Sequence, residues 1–311
     1  MNKKIIIAII GPTSSGKSDL AIKLARKFNG EIISADSRQV YRGLDITTGK
    51  VTKREQRMAK HHCLDIVDPP RRWRGEVQPF TLQQYRRCAD AAIHDIWKRG
   101  KLPILVGGTQ LYVRSVLYEY DLPPVPPNPA YRKRLEEKSL KVLQQQLYRI
   151  DSKMREWKDR GNRRRVIRAL EIYHTIKIKP SQWYERSTPR VRYDALQLCI
   201  GVPREKLYRR IDKRVDARIK RGMIREVERL REQGISKKWL KSLGLECRFV
   251  SEYLDGPKSM QRKKDMIQHL KFAIHQYSRR QLTWYRKEYD ITHVTSYSSA
   301  RTAIVHFFRQ H

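Results

Sequence analysis

Eight residues near the start of the chain, Gly11-Pro-Thr-Ser-Ser-Gly16-Lys17-Ser18, fit the pattern G-x-x-x-x-G-K-[ST] in full. Glycines let a backbone curl until successive N–H groups point at one anion. A helix starting just after the loop adds the partial positive charge of its N-terminus. Lys17 supplies a mobile cation for a terminal phosphate, and the Ser18 hydroxyl is suited to ligate Mg²⁺. The motif carries weight only between a strand and a helix. The apolar run Ile5 to Ile10 precedes it, and Asp19 to Phe28 follows with apolar residues at helical spacing.

The motif specifies phosphate and leaves the reaction open. A nucleotide hydrolase brings a second carboxylate, at the end of an apolar strand, to hold Mg²⁺. The run Leu102 to Val106 ends instead in Gly107-Gly108-Thr109. An ordinary ATPase is therefore a poor fit. Asp36 follows Ile32-Ile33, at the strand end where open α/β sheets bind ligands. Ser37, Arg38, Gln39, Tyr41 and Arg42 come next. A carboxylate, a hydroxyl, an amide and an aromatic can together grip a purine. The same residues also read as an Asx turn entering a helix, and spacing alone favours neither.

These residues need a scaffold, and the pattern supplies one. Strand-like runs at Ile5–Ile10, Glu31–Ala35, Cys63–Val67 and Leu102–Val106 alternate with helical segments, including Leu82 to Lys98 and Gln110 to Tyr118. Alternation of this kind implies a parallel sheet covered on both faces. The pattern breaks at Leu122-Pro-Pro-Val-Pro-Pro-Asn-Pro129, which suits neither helix nor ladder. Residues 130–180 then read as helical, and a strand returns at Tyr193 to Val202. Basic helices follow from Pro203 to about Gly234 and from Lys258 to Lys287. Asp290 to Ser296 reads as a last short strand before a terminal helix. The expected division is an α/β core over 1–122 and 190–311, with a helical insert over 123–189.

The 311 residues hold 68 Lys+Arg against 32 Asp+Glu, a formal net charge of +36. The excess runs along the whole chain, with 18 basic and 7 acidic residues over 131–190. A solvated basic surface is the plain reading. A pI near 10.3 and aromatics within basic helices favour a phosphate-backbone footprint. No apolar run approaches a membrane span, and Met1 to Ile10 does not read as a signal peptide. The four cysteines, Cys63, Cys88, Cys199 and Cys247, are far apart and indicate neither a disulfide framework nor a zinc site. His61-His62 reads as a strand edge, because a third metal ligand is lacking. Trp284-Tyr285 reads as packing. These features point to a cytoplasmic polyanion binder.

Several blocks together resemble a known family. They are the loop Gly11–Ser18, Ser34-Ala-Asp-Ser-Arg-Gln-Val-Tyr-Arg-Gly-Leu-Asp-Ile46, His61-His-Cys-Leu-Asp-Ile-Val-Asp-Pro69, Gly107-Gly-Thr109, Asn162-Arg-Arg-Arg-Val-Ile-Arg-Ala-Leu-Glu171 and Arg279-Arg-Gln-Leu-Thr-Trp-Tyr-Arg286. In this order, over nearly the whole chain, they resemble the tRNA dimethylallyltransferases of bacterial type. The resemblance implies a P-loop NTPase-like parallel core with an all-helical insertion domain. It implies transfer of a dimethylallyl group from dimethylallyl pyrophosphate to N6 of the adenosine 3′ of the anticodon. Thr13, Ser14, Ser15, Gly16, Lys17 and Ser18 would hold the pyrophosphate, with Mg²⁺ as cofactor at Ser18. Asp36 would take the N6 proton, and Thr109 would contact the pyrophosphate near the reacting carbon. Asp36, Ser37, Arg38 and Gln39 would meet the target base. Asn162, Arg163, Arg164 and Arg165 would contact the anticodon stem-loop, as would Leu243, Gly244 and Arg248. No membrane and no obligate protein partner is implied. The sequence departs from the family at Gln110, at Thr47-Thr-Gly-Lys50 and at Gly244-Leu-Glu-Cys247, and it lacks the zinc finger of eukaryotic members. An adenylate isopentenyltransferase acting on free nucleotide and a P-loop small-molecule kinase are the alternatives. The basic insert favours a macromolecular acceptor over both.

Overall fold

A computed structural model describes residues 4–70, 80–119, 125–186, 190–286 and 290–311. The chain divides into two compact units, 1–117 with 192–311, and 118–191.

The first unit opens with β1 (Ile5–Ile10), α1 (Lys17–Lys27), β2 (Gly30–Ser34), α2 (Lys53–Met58), β3 (His61–His62), α3 (Leu82–Lys98), β4 (Leu102–Gly107) and α4 (Gln110–Leu117). β1 is an unbroken apolar run because both its faces are covered, and Ile6 to Ile9 are fully buried. α1 lays Leu20, Ala21, Leu24 and Ala25 on the sheet. Thr81 caps α3 through a reciprocal capping box with Gln84, and Tyr85 and Ile93 face the core.

The expected strand over Cys63–Val67 is not formed. β3 ends at His62, and Cys63 and Asp65 take left-handed backbone with φ of 61° and 54°. A pleated ladder cannot pass through two such residues. Val67 keeps only an isolated bridge to Tyr41. The histidine pair does sit on a strand edge, where His62 Nε2 bonds the buried Glu31 carboxylate at 2.7 Å.

The second unit runs through β5 (Tyr118–Glu119), α5 (Pro129–Glu136), α6 (Leu140–Ile150), a 3₁₀ turn at Ser152–Glu156, α7 (Arg163–Ile176), α8 (Pro180–Arg186) and β6 (Arg190–Val191). It has its own core of Leu135, Leu143, Leu147, Met154, Val166, Ile167 and Leu170. It is not wholly helical, because β5 and β6 form a two-stranded antiparallel ladder at its two chain ends. Of the proline connector, residues 122–124 lie outside the described residues, as do 187–189 of the expected insert. Asn128 caps α5, with Pro129 in the first turn.

The chain then returns to the first unit with β7 (Asp194–Ile200), α9 (Arg204–Lys220), α10 (Met223–Glu232), α11 (Lys237–Leu243), α12 (Leu245–Leu254), α13 (Met260–Tyr285), β8 (Ile291–Val294) and α14 (Tyr297–Gln310). Lys287, the expected end of the second basic helix, lies outside the described residues. The six-stranded sheet has the order β3-β2-β4-β1-β7-β8, and every pairing is parallel. β1 is therefore central, and the loop that follows it emerges beside the C-terminal ends of β4 and β7. Among the described residues, no helix is long and apolar enough to cross a membrane.

Candidate functional site

The loop after β1 is shaped by unusual backbone. Ser14 has φ 61° and Gly16 has φ 97°, and Ser15 N–H closes a turn onto Pro12 O at 3.2 Å. α13 braces it from outside. Gln281 Oε1 accepts from Thr13 N–H at 2.9 Å, and its Nε2 donates to Gly108 O at 3.0 Å. The Tyr285 hydroxyl donates to Gly11 O at 3.0 Å. Lys17 Nζ donates to Pro12 O at 2.6 Å. Burial lowers the Lys17 pKa to about 7, with a further push from the Arg214 guanidinium, while Asp36 and Cys199 oppose.

The Asp36 block follows β2. Asp36 Oδ1 accepts the Arg38 N–H at 2.9 Å, which is the Asx turn. Asp36 also lines the cleft, so the turn does not remove it from the cavity wall. Ser37 N–H donates to Thr109 Oγ1 at 3.2 Å, and Thr109 N–H donates to Ala35 O at 3.3 Å. The ends of β2 and β4 are thereby laced together. The approach demands glycine at 107, where a Cβ would lie 2.1 Å from Ala35 O. Gln39 accepts from the Ser34 hydroxyl at 3.2 Å and donates to Gly49 O at 3.4 Å.

The opposite wall comes from α9 and α12. Arg210, Arg214 and Arg218 recur every four residues and share one face of α9. Arg210 donates to Ser15 O at 3.1 Å, and Arg214 to the Thr13 and Ser14 hydroxyls at 3.4 Å. Arg218 pairs with Glu246 Oε1 at 3.0 Å, and Arg38 pairs with Glu246 Oε2 at 3.3 Å. Burial lowers the Arg218 pKa to about 10, and Arg214 beside it adds to the effect. The two guanidinium groups hold the Glu246 carboxyl below its usual range, against the burial that would raise it.

Together these groups line a cleft of about 1100 Å³. Its walls include Thr13, Ser14, Ser15, Gly16, Lys17, Ser18, Asp36, Ser37, Arg38, Gln39 and Thr109, so the core of the expected site is one cavity. Arg210, Arg214, Arg218, Glu246, Tyr277 and Gln281 also line it. The sequence reading missed these, although the four-residue spacing of arginines in α9 was a usable signal. Of the Leu243–Arg248 segment, Glu246 reaches the cleft while Leu243, Gly244 and Arg248 do not. Gly244 packs on Arg38, where a Cβ would come within 2.5 Å of Cζ. Arg248 is exposed and lies over its neighbour Phe249.

Asn162, Arg163, Arg164 and Arg165 belong to the second unit. Asn162 caps α7 by accepting the Arg165 N–H at 3.3 Å. Arg163 donates to Glu136 O at 2.5 Å, Arg165 pairs with Asp159, and Arg164 is exposed.

The cleft can hold a polyanion between backbone amides and guanidinium groups, with a carboxylate close by. Among the described residues, no group of three or more His, Cys, Asp or Glu could hold a metal alone. The Ser18 hydroxyl lines the cleft and is a hard oxygen donor that could ligate Mg²⁺.

Known proteins match this arrangement. The family model described as IPP transferase matches residues 39–288, and one described as isopentenyl transferase matches residues 4–66. The tRNA dimethylallyltransferase of Anoxybacillus flavithermus is 39% identical over 99% of this chain and 96% of its own length. That of Thermomicrobium roseum is 40% identical over 100% and 94%. The crystal structure of the tRNA isopentenylpyrophosphate transferase of Bacillus halodurans superposes with a TM-score of 0.69 at 33% identity, covering 99% of this chain and 96% of that one. A eukaryotic dimethylallyltransferase acting on tRNA gives a TM-score of 0.77 at 29% identity, over 95% and 75%.

Proposed function

The chain belongs to the tRNA dimethylallyltransferase (IPP transferase) family, and from that premise we propose that it transfers a dimethylallyl group from dimethylallyl pyrophosphate to the N6 amine of the adenosine 3′ of the anticodon. The supporting observation is one cleft that joins an anion-binding loop, an arginine face and the Asp36 carboxylate. Neither a bare phosphate loop nor a bare carboxylate would suffice.

Thr13 to Ser18 and the α9 arginines bind the pyrophosphate of the donor. As the allylic C–O bond lengthens, negative charge grows on that leaving group. The start of α1, Lys17 and Arg214 line that part of the cleft, and their positive charge stabilises the departing group. Thr109, tied to Ser37, keeps the pyrophosphate end of the donor beside the base-binding end. The adenine amine is a weak nucleophile because its lone pair is delocalised into the ring. Its nitrogen forms the new bond to the allylic carbon, and Asp36 accepts the released proton. Ser37, Arg38 and Gln39 orient the base. Mg²⁺, when bound at the Ser18 hydroxyl, supplies charge neutralisation to the diphosphate. The Asn162–Arg165 segment, with Arg164 free to reach outward, meets the anticodon stem-loop, and Arg248 adds a phosphate contact from α12. A tRNA acceptor makes the cytoplasm the compartment of the reaction.

The test is incubation of the chain with dimethylallyl pyrophosphate and, in parallel, tRNA, AMP or ATP, followed by mass analysis of the nucleosides. Prenylated adenosine from tRNA alone supports the reading. Product from AMP or ATP alone, or phosphate transferred in place of a prenyl group, overturns it.

A further inference from the structure

Among the described residues of the first unit, one buried carboxylate is held by backbone and hydroxyl donors and has no cation partner. Glu226, on α10, is 5% exposed. Its Oε2 accepts the N–H groups of Asp45 at 3.0 Å and Ile46 at 2.8 Å, and its Oε1 accepts the N–H of Thr47 at 2.8 Å and the Thr47 hydroxyl at 2.6 Å. Three consecutive backbone donors and a hydroxyl converge on one side chain some 180 residues away in sequence. Converging N–H groups of this kind form an anion-binding nest. Here the protein fills the nest itself.

The anchored segment leads straight to the cleft. Arg218 Nη1 donates to Thr47 O at 3.4 Å. Gly49 lies so close to the α9 arginines that a Cβ there would fall 1.4 Å from Arg218 Nη2 and 2.3 Å from Arg214 Nη2. Gly49 O accepts from Gln39. Thr48, Gly49 and Lys50 line the cleft. From behind, Lys50 Nζ clamps the same turn, donating to Tyr41 O at 3.0 Å and Asp45 Oδ1 at 2.7 Å. The segment is thus a wedge. It touches the pyrophosphate-side arginines on one flank and the base-side Gln39 on the other.

We infer that Glu226 is a positioning residue for the transfer reaction: by holding 45–47 it sets the Thr47–Gly49 wedge that fixes Arg218 and Gln39 relative to each other. The inference rests on the proposed activity for its catalytic consequence and on geometry alone for the anchoring. Loss of the carboxylate leaves the backbone anchors of the phosphate loop in place, because Thr13 N–H, the Lys17 amine and Gly11 O are held by other partners. Glu226→Gln replaces one acceptor oxygen with a donor that faces N–H groups. A misplacement of order 1 Å at a reacting site costs about 100-fold in rate.

Two readouts on the full chain test this. Hydrogen exchange of the Asp45, Ile46 and Thr47 amides, compared between wild type and Glu226→Gln, tests the anchor. The expected result is exchange faster by about tenfold or more, with the α1 amides unchanged, as expected for a local opening that leaves the global fold intact. Single-turnover transfer to an anticodon stem-loop, well below the unfolding temperature of both proteins, tests the consequence. The expected result is a rate loss of about 10- to 100-fold with the pyrophosphate dissociation constant nearly unchanged. Thr47→Val, which removes one of the four bonds, should show a loss of a few-fold in the same direction. Unchanged exchange overturns the anchor. Faster exchange with an unchanged rate, or with donor affinity falling in step with rate, overturns the positioning role. A wild-type chain that transfers nothing overturns the activity, while the exchange result still decides the anchor.

Discussion

Under the proposed reaction the two walls of the cleft offer an anion different means of binding. One is the loop Gly11–Ser18, which offers backbone, the start of α1 and the Lys17 and Ser18 side chains. The other is α9 with α12, where Arg210, Arg214 and Arg218 project side-chain charge and Glu246 offsets part of it. The first wall is fixed by a short stretch of backbone with two left-handed residues, Ser14 and Gly16. The second exists only because α9 and α12 pack on α10 and α13. Backbone donors tolerate many side-chain changes, whereas a guanidinium face is removed one residue at a time. The loop should therefore dominate donor affinity, and the arginine face should dominate stabilisation of the departing diphosphate.

The sharpest break between ends of the cleft concerns the carboxylate that neither wall owns. Asp36→Asn keeps the Asx-turn oxygen but loses charge and basicity. Single-turnover transfer should fall by about 10²- to 10⁴-fold, with donor affinity measured by calorimetry nearly unchanged. Next comes the arginine wall. Arg214→Ala should lower kcat by about 10²-fold, comparable to loss of one oxyanion donor, with a smaller effect on KM. A rise in KM alone would reassign Arg214 to ground-state binding and erase the distinction between the walls.

The loop wall carries a protonation signature. With its pKa lowered to about 7 by burial and by Arg214, Lys17 is largely charged at pH 6 and largely neutral at pH 8 in the empty cleft. A bound diphosphate favours the charged amine, so donor binding at pH 8 should take up close to one proton that is not taken up at pH 6. Affinity should then weaken as pH rises through 7. Calorimetry in buffers of different ionisation enthalpy reads this uptake, and Lys17→Met should abolish the difference. The smallest effect belongs to the second unit. Arg164→Ala should reduce the slope of log affinity for an anticodon stem-loop against log salt by about 0.7 to 0.9, one phosphate contact. Filter binding at several salt concentrations measures it.

How far the sequence discloses this site follows from the same contrast. The loop was legible because its glycines, Lys17 and Ser18 are contiguous, and because the strand and helix beside it have clear periods. Asp36 was legible as a strand-end carboxylate, although spacing could not tell turn from ligand. The structure shows the turn and puts the same residue on the cleft wall. The parallel core and the helical character of 130–180 were legible from alternation and from the proline break. The strand over Cys63–Val67 was misread because an apolar run does not reveal left-handed backbone at Cys63 and Asp65. Gln281 and Glu246 were missed for another reason. Their partners lie far away in sequence, as with Gln281 and Thr13, and long-range contacts leave no local period. The α9 arginines did leave one, at every fourth residue, but a basic helix face reads equally as a solvated surface. Leu243, Gly244 and Arg248 were named from the family resemblance as tRNA contacts; they lie outside the cleft, which Glu246 of the same segment reaches.

The central claim is that both walls and Asp36 serve one reaction at one atom, the exocyclic amine of adenine. The direct measurement is single-turnover transfer from dimethylallyl pyrophosphate to two anticodon stem-loops, one with adenosine 3′ of the anticodon and one with inosine there, followed by nucleoside mass analysis. The account predicts one prenyl group on N6 of that adenosine and no product from the inosine stem-loop, which has no amine at that position. Equal prenylation of both stem-loops, or product at any other atom, would contradict it.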